Sequence, residues 1–363
     1  MSKNIFILGA GASKEAGAPL MDDFLDKAKD LLDLDKIKGE YKKDFDRIFK
    51  TISDLKPIHY AVKIDLDNIE NLFAALEMGK LLDKIPNISK EEAESLLKTI
   101  KRFIFITLEK TIEFPVHSEK VYPNENYGAL VKLMKELDES GLPQNKCSVI
   151  TFNYDLALDY ALNSYNSSVN YGLPEIKNQR GPLLLKLHGS SNWVKCQVCG
   201  KISFWSLSEF FGKYQYLFLK DLKFVNLDLA SKLISSGLKC CDKEIKSEPY
   251  IVPPTWSKTE YYRDISLIWK RAALELSEAE NIFICGYSLR ESDLFFRYLF
   301  GLSSIGASRI RRFWVFDPDE SDIVYNRFIN FIAPAIEKKF RFEKKRFSEA
   351  INIIRNELIK NDY

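Results

Sequence analysis

An apolar run that stops on Gly-Ala-Gly-Ala-Ser is the feature that most constrains this chain: residues 4–17 read NIFILGAGASKEAG. A strand that empties into a glycine-rich turn and then into helix-compatible residues is a phosphate-binding opening to a fold. Gly9 and Gly11 lack a Cβ, so the backbone there is free to take positive φ and to bring N–H groups to a pyrophosphate at the following helix N-terminus. A dinucleotide is the natural guest, with Ala10, Ala12 and Ser13 completing the loop. The pattern departs from the three-glycine dinucleotide fingerprint, because Lys14 holds the third position and glycine returns at Gly17. Taken alone, the same loop also fits a plain strand-to-helix turn.

Composition narrows the guest. The chain has 363 residues, enough for one large domain with insertions or two ordinary ones. Its 53 Lys and Arg against 51 Asp and Glu leave no global basic field, so neither a nucleic acid nor a membrane surface is expected as partner. No apolar stretch reaches the roughly 18 residues of a membrane span, and the N-terminus enters a strand without the order of a signal peptide, so a cytoplasmic protein is expected. Six cysteines are too few for a disulfide scaffold in so long a chain, and four of them fall between Cys196 and Cys241. That clustering points to metal.

Further along, residues 21–137 carry helical spacing, in NIENLFAALEMGKLLDK and KEEAESLLKTIKRFIFITLEKTI for example, and define an all-helical insertion over about 36–145. Ser89 with Glu92 predicts a capping box at the head of the last of these helices. Strands return at CSVITF (residues 147–152), GPLLLKLHG (181–189), NIFICG (281–286) and RIRRFWVFD (309–317). Three of these runs end on polar loops: Asn153-Tyr154-Asp155, His188-Gly189 and Gly286-Tyr287-Ser288. Strand alternating with helix predicts a parallel sheet, and ligands of such sheets bind outside the carboxyl ends of the strands. Residues 195–250 form a second, cysteine-containing insertion.

Taken in order, the glycine loop, Asn-x-Asp, His-Gly, Cys-x-x-Cys and Gly-x-Ser motifs resemble the sirtuin family across residues 5–289, and the strand ending at Asp317 fits that family's last sheet element. The resemblance covers the core and neither insertion. It implies an α/β Rossmann-like parallel sheet with a large helical insertion and a small zinc-type cysteine module, all within one catalytic domain spanning 1–363. It also implies NAD as the ligand, held by the glycine loop together with Gly286, Ser288 and Asp317. One departure matters. Sirtuin deacylases follow the glycine loop with Ile-Pro-Asp-Phe-Arg, whereas this chain reads Gly17-Ala18-Pro19-Leu20-Met21-Asp22-Asp23-Phe24 and keeps only the proline in step. Loss of that segment, the helical insertion and the tyrosine in Asn-Tyr-Asp make the chain more similar to the sirtuin-like NAD hydrolases of bacterial antiviral defence. The expected activity is cleavage of NAD to nicotinamide and ADP-ribose by a toxic effector. Its expected partners are further copies of itself and a regulatory protein or phage component. A protein deacylase and a non-catalytic NAD or ADP-ribose sensor are the alternatives.

The chemistry assigns distinct roles. Nicotinamide leaves NAD as a neutral molecule, so the glycosidic bond breaks once the developing oxocarbenium charge is stabilised, and no strong nucleophile is needed. Asn153 is expected to bond the ribose and position water, Asp155 to hold the nicotinamide amide or favour the positive charge, and His188 to act as base near neutral pH. Against this, Asp155 is also a natural cap for the helix that follows it. His59 and His117 are expected to be surface or insertion residues. Cys196 and Cys199 form a zinc knuckle, with the adjacent Cys240 and Cys241 as an irregular partner pair; a degenerate site or free thiols are the alternatives. Cys147 and Cys285 are expected in the core. The aromatic segment 204–216 and the basic clusters 309–312 and 338–346 are read as core packing and a solvated helix face, or as partner surfaces.

Overall fold

The computed structural model describes residues 3–60, 62–85, 88–165, 169–173, 181–207, 222–227, 238–245, 248–253, 263–290, 293–305 and 309–360. Six strands form one sheet: β1 (Asn4–Leu8), β2 (Cys147–Thr151), β3 (Leu183–Lys186), β4 (Asn281–Cys285), β5 (Arg312–Phe316) and β6 (Phe340–Glu343). Every neighbouring pair runs parallel, in the spatial order β3-β2-β1-β4-β5-β6. This is the doubly wound order of a Rossmann-type sheet, with its reversal of direction between β1 and β4. Central strands buried on both faces read as continuous apolar runs, and β1 is buried at all five positions.

Helices cover the sheet and its carboxyl edge. After β1 come α1 (Ala10–Lys14), α2 (Phe24–Asp33), α3 (Glu40–Leu55), α4 (Ile69–Leu82) and α5 (Lys90–Thr111). Ser89 starts α5 as expected, its hydroxyl accepting the Glu92 N–H at 3.2 Å. Helices α2 and α3 pack on α5 through Phe103, whose ring lies 6.1, 4.5 and 5.9 Å from those of Phe24, Phe45 and Phe49, and α4 packs on α5 as well. Burying one such ring contributes about 1.5–3 kcal/mol, so these apolar stripes are satisfied within the chain. Helix α6 (Glu125–Glu139) packs on β2, α7 (Ala157–Ser164) and α11 (Phe347–Lys360), and is a flanking helix of the sheet. Further along the described residues come α8 (Ser266–Ser277), α9 (Leu294–Ser303), α10 (Ile323–Ile329), a single helical turn at Pro334–Glu337, and then α11.

Two expectations need correction. The stretch 36–145 is not all helical: Phe114–His117 and Lys120–Val121 form an antiparallel hairpin, and Phe114–His117 also pairs with Phe224–Val225. Its two turn residues, Ser118 and Glu119, hold φ of 49° and 60°, the type I′ geometry that matches strand twist. The charged run 338–346 is no helix face. Phe340–Glu343 is the edge strand β6, where charge also guards against further pairing, and Arg341 lies over the Trp314 ring at 4.6 Å.

Cys285 is fully buried, whereas Cys147 is only half-buried. His117 is exposed and its ring lies 5.7 Å from that of Tyr122. The His59 side chain and most of the aromatic segment 204–216 lie outside the described residues. Among the described residues no helix is long and apolar enough to cross a membrane.

Candidate functional site

The carboxyl ends of β1, β2, β4 and β5, with the loop after β3, open onto one cavity of about 600 Å³. It lies at the reversal of strand order, where an open parallel sheet leaves a crevice. Gly9, Gly11, Ser13, Asn153, Asp155 and His188 reach its wall, as do Ala10, Gly286, Ser288 and Asp317. Ala12 is fully buried and does not line it.

The glycines act differently from expectation. Gly9 takes φ −106° as the N-cap of α1, which starts at Ala10, and neither Gly9 nor Gly11 has positive φ. Their need for glycine is steric. A Cβ on Gly9 would stand 2.4 Å from the Gly286 carbonyl oxygen, and one on Gly11 would stand 2.7 Å from the Gly286 Cα. Gly286 itself has φ +60°, and a Cβ there would meet the Ala12 nitrogen at 2.4 Å. Thus the turns after β1 and β4 interlock backbone to backbone, and the Gly9 and Gly11 N–H groups donate to the Cys285 and Gly286 carbonyls at 3.1 and 2.9 Å.

Ser13 ties the glycine loop to β2 and α6. Its hydroxyl donates to Asp155 Oδ2 at 2.7 Å and lies 2.6 Å from the Tyr127 hydroxyl and 3.0 Å from Asn153 Nδ2. With the single Ser13 proton on Asp155, Tyr127 and Asn153 become donors to its lone pairs, and the hydroxyl is saturated. Asn153 Nδ2 also donates to the Gly9 carbonyl at 2.9 Å, while its own N–H is held by Thr151 Oγ1 at 3.1 Å. Asp155 Oδ1 accepts the Ala157 N–H at 3.0 Å, so this carboxylate caps α7 as well as lining the cavity. Burial raises the Asp155 carboxyl above its ordinary pKa, opposed by the nearby Lys186 charge and the Ser13 hydrogen bond. Burial likewise pushes the Tyr127 phenol well up, and the charge of Asp155 adds to it.

Beneath the His188 loop lies a buried polar chain. Lys186 and Asp159 are each 1% exposed and paired at 3.0 Å, and Lys186 Nζ also donates to the Asp155 carbonyl at 2.6 Å. Tyr171 donates to Asp159, and Asn192 donates to the Tyr171 hydroxyl. Gly189 has φ +81° where the chain presses on Tyr250, whose carbonyl oxygen would lie 2.2 Å from an added Cβ. His188 is 9% exposed, its ring 5.1 Å from that of Phe152 and 6.2 Å from that of Tyr154. Phe152 in turn stacks on Tyr287 at 4.5 Å, joining the β2 and β4 sides of the cavity. On the β5 side, burial raises the Asp317 carboxyl, and its Oδ1 accepts the Asp319 N–H at 3.0 Å.

Tyr127, Lys186, Asp22, Arg290 and Arg327 are the residues that sequence reasoning missed. Tyr127 reads as one more apolar position of an amphipathic helix, and Lys186 is a lone charge inside an apolar run. Arg290 directly follows the Gly286–Leu289 turn, and that position was its available signal.

The sulfurs of Cys196, Cys199, Cys240 and Cys241 all lie within 4.8 Å of one another. A tetrahedral zinc with Zn–S of about 2.3 Å sets its sulfurs roughly 3.8 Å apart. Cys199 to Cys240 at 3.6 Å and Cys240 to Cys241 at 3.9 Å fit that spacing. Adjacency of the second pair is accommodated by a hairpin between Lys239–Cys240 and Lys243–Glu244, with Cys241 and Asp242 at φ 53° and 58°. The Cys199 and Val198 backbone N–H groups lower the Cys196 thiol to about 7, whereas hydrogen bonding to Cys199 and Cys196 raises Cys240 to about 12. Four thiols this close ionise together only around a cation, so the donor set fits structural zinc. Elemental analysis is expected to find about one zinc per chain, and Cys196→Ser to lose it, lowering thermal stability far more than ligand affinity. A metal-free protein of unchanged stability would refute this.

No family model matches this chain, and neither does any curated protein. Among solved structures, a Sir2 complex with a p53 peptide and NAD is 15% identical with a TM-score of 0.42, over 98% of this chain and 92% of that one. A Sir2 homologue–NAD complex is 14% identical with a TM-score of 0.39, over 99% and 91%. A structure described as the structural basis for the mechanism and regulation of Sir2 enzymes is 14% identical with a TM-score of 0.42, over 99% and 94%. The functional reading is carried by the residues of the cavity.

Proposed function

We propose that the chain binds NAD along the carboxyl edge of its sheet and hydrolyses the nicotinamide–ribose bond. The observation that carries this reading is the convergence of Gly9, Asn153, His188, Gly286 and Asp317, from five separate strand ends, on one cavity. An extended dinucleotide fits that layout. Between β2 and β5 lie three inter-strand steps, roughly 14 Å. In this reading the adenosine half lies towards Gly286, Ser288 and Asp317, and the nicotinamide ribose towards Asn153 and His188.

The reaction needs little covalent help. The C1′–N bond breaks with its electron pair going to nicotinamide, which leaves neutral, and water oxygen adds to C1′ while its proton passes to the His188 imidazole and on to solvent. Asn153, its Nδ2 already committed to the glycine loop, offers its Oδ1 to the ribose or the attacking water. Asp155 acts mainly by position, holding Ser13 and the start of α7, while its charge favours the oxocarbenium. The cysteine module, none of whose four cysteines lines the cavity, would hold zinc as a structural tie.

The biological side of the proposal is a cytoplasmic effector of anti-phage defence, working as a homo-oligomer under a regulatory protein or phage component. It rests on the order of the motifs and on the replacement of the Phe-Arg element by Leu20 to Phe24. Expression of the wild type against Asn153→Ala, with cellular NAD measured, tests it. NAD depletion and toxicity are expected from the wild type only. A requirement for acetylated peptide before nicotinamide is released would turn the reading to a deacylase.

A further inference from the structure

The cavity is poor in positive charge. Its wall carries Asp22, Glu70, Asp155, Asp293, Asp317 and Asp319, against the guanidinium groups of Arg290 and Arg327. A diphosphate ester placed there brings two further negative charges. In the glycine loop the Gly9, Gly11 and Ala12 N–H groups are spent on carbonyls within the chain. Helix α1 has only five residues, too short to gather a useful dipole. Arg327 is turned towards the backbone, its Nη1 donating to the Ser288 carbonyl at 3.3 Å.

Arg290 differs. It stands at the end of the β4 turn, with its side chain 30% exposed, and Nη2 meets Asp22 Oδ1 at 2.9 Å. The Asp22 side chain is 77% exposed, so this ion pair spans the cavity mouth from the loop after α1 and contributes little in water. We propose that Arg290 binds the diphosphate of the ligand, and that Asp22 holds the guanidinium in the place a phosphate oxygen takes. Entry of the ligand exchanges an exposed carboxylate for a more strongly bound, bidentate phosphate partner. The same exchange frees the 19–23 loop from the β4 turn, so that binding and movement at the mouth are coupled.

The inference rests on the NAD reading, and calorimetric titration with ADP-ribose, with adenosine as the diphosphate-free probe, separates the two. Arg290→Gln is expected to weaken ADP-ribose about ten- to hundredfold while leaving adenosine unchanged. Arg290→Lys should keep part of the affinity, because it keeps the charge without the fork. Asp22→Asn removes the competing carboxylate and should tighten ADP-ribose about two- to fivefold. Wild-type binding that persists unchanged in Arg290→Gln, or an equal loss of adenosine in that variant, overturns the inference and leaves the NAD reading standing. Failure of the wild-type protein to bind ADP-ribose at all overturns both.

Discussion

Alanine at Asn153 or at His188 is expected to lower NAD turnover by about 10²–10³-fold, the usual cost of removing one oriented polar group from such a site. The two substitutions differ in their structural consequences. Asn153→Ala strips donors from the Gly9 carbonyl and from Ser13, so a modest loss of stability should accompany it. His188→Ala leaves those bonds intact and removes a ring that packs against Phe152 and Tyr154. Thermal unfolding beside initial rates separates the effects: a folded protein with near-wild-type NAD cleavage would end the assignment for that residue.

The largest effect on stability is expected from Lys186→Met. It leaves the Asp159 carboxylate buried without its cation and takes a donor from the Asp155 carbonyl. Breaking a buried ion pair from one side costs about 3–5 kcal/mol, a large part of the roughly 5–15 kcal/mol that holds a typical protein folded. Replacing both partners by apolar residues of similar size avoids a stranded charge, so Lys186→Met with Asp159→Leu should recover much of the loss. Denaturant unfolding of the two variants checks this. A single variant as stable as the wild type, or a double variant no better than the single, would show that the pair does not hold β3 to α7.

What was legible in the sequence follows from how strongly each element breaks its local pattern. Five strands announced themselves as apolar runs, and the loops after β1 to β4 stood out because glycine, asparagine or histidine followed such runs at once. β6 was hidden because alternating Phe340, Arg341, Phe342 and Glu343 sit in a lysine-rich stretch that reads equally well as a charged helix face. The 114–121 hairpin is too short to show a period, and its Ser-Glu turn lacks the Asn-Gly signature of its type. Gly9 and Gly11 stand out in the sequence, but the physical need for glycine there does not. Loop glycines suggest positive φ, whereas the demand here is the approach of Gly286, some 280 residues away in sequence. Tyr127 and Lys186 act through long-range bonds to Ser13 and Asp159 that no local pattern encodes.

Cleavage of NAD in this cavity is tested most directly by chromatography of purified protein incubated with NAD alone. Nicotinamide and ADP-ribose are expected in equal amounts without acylated peptide, and both products are expected to disappear in His188→Ala. Intact NAD after prolonged incubation of folded protein across a range of protein concentrations would contradict it.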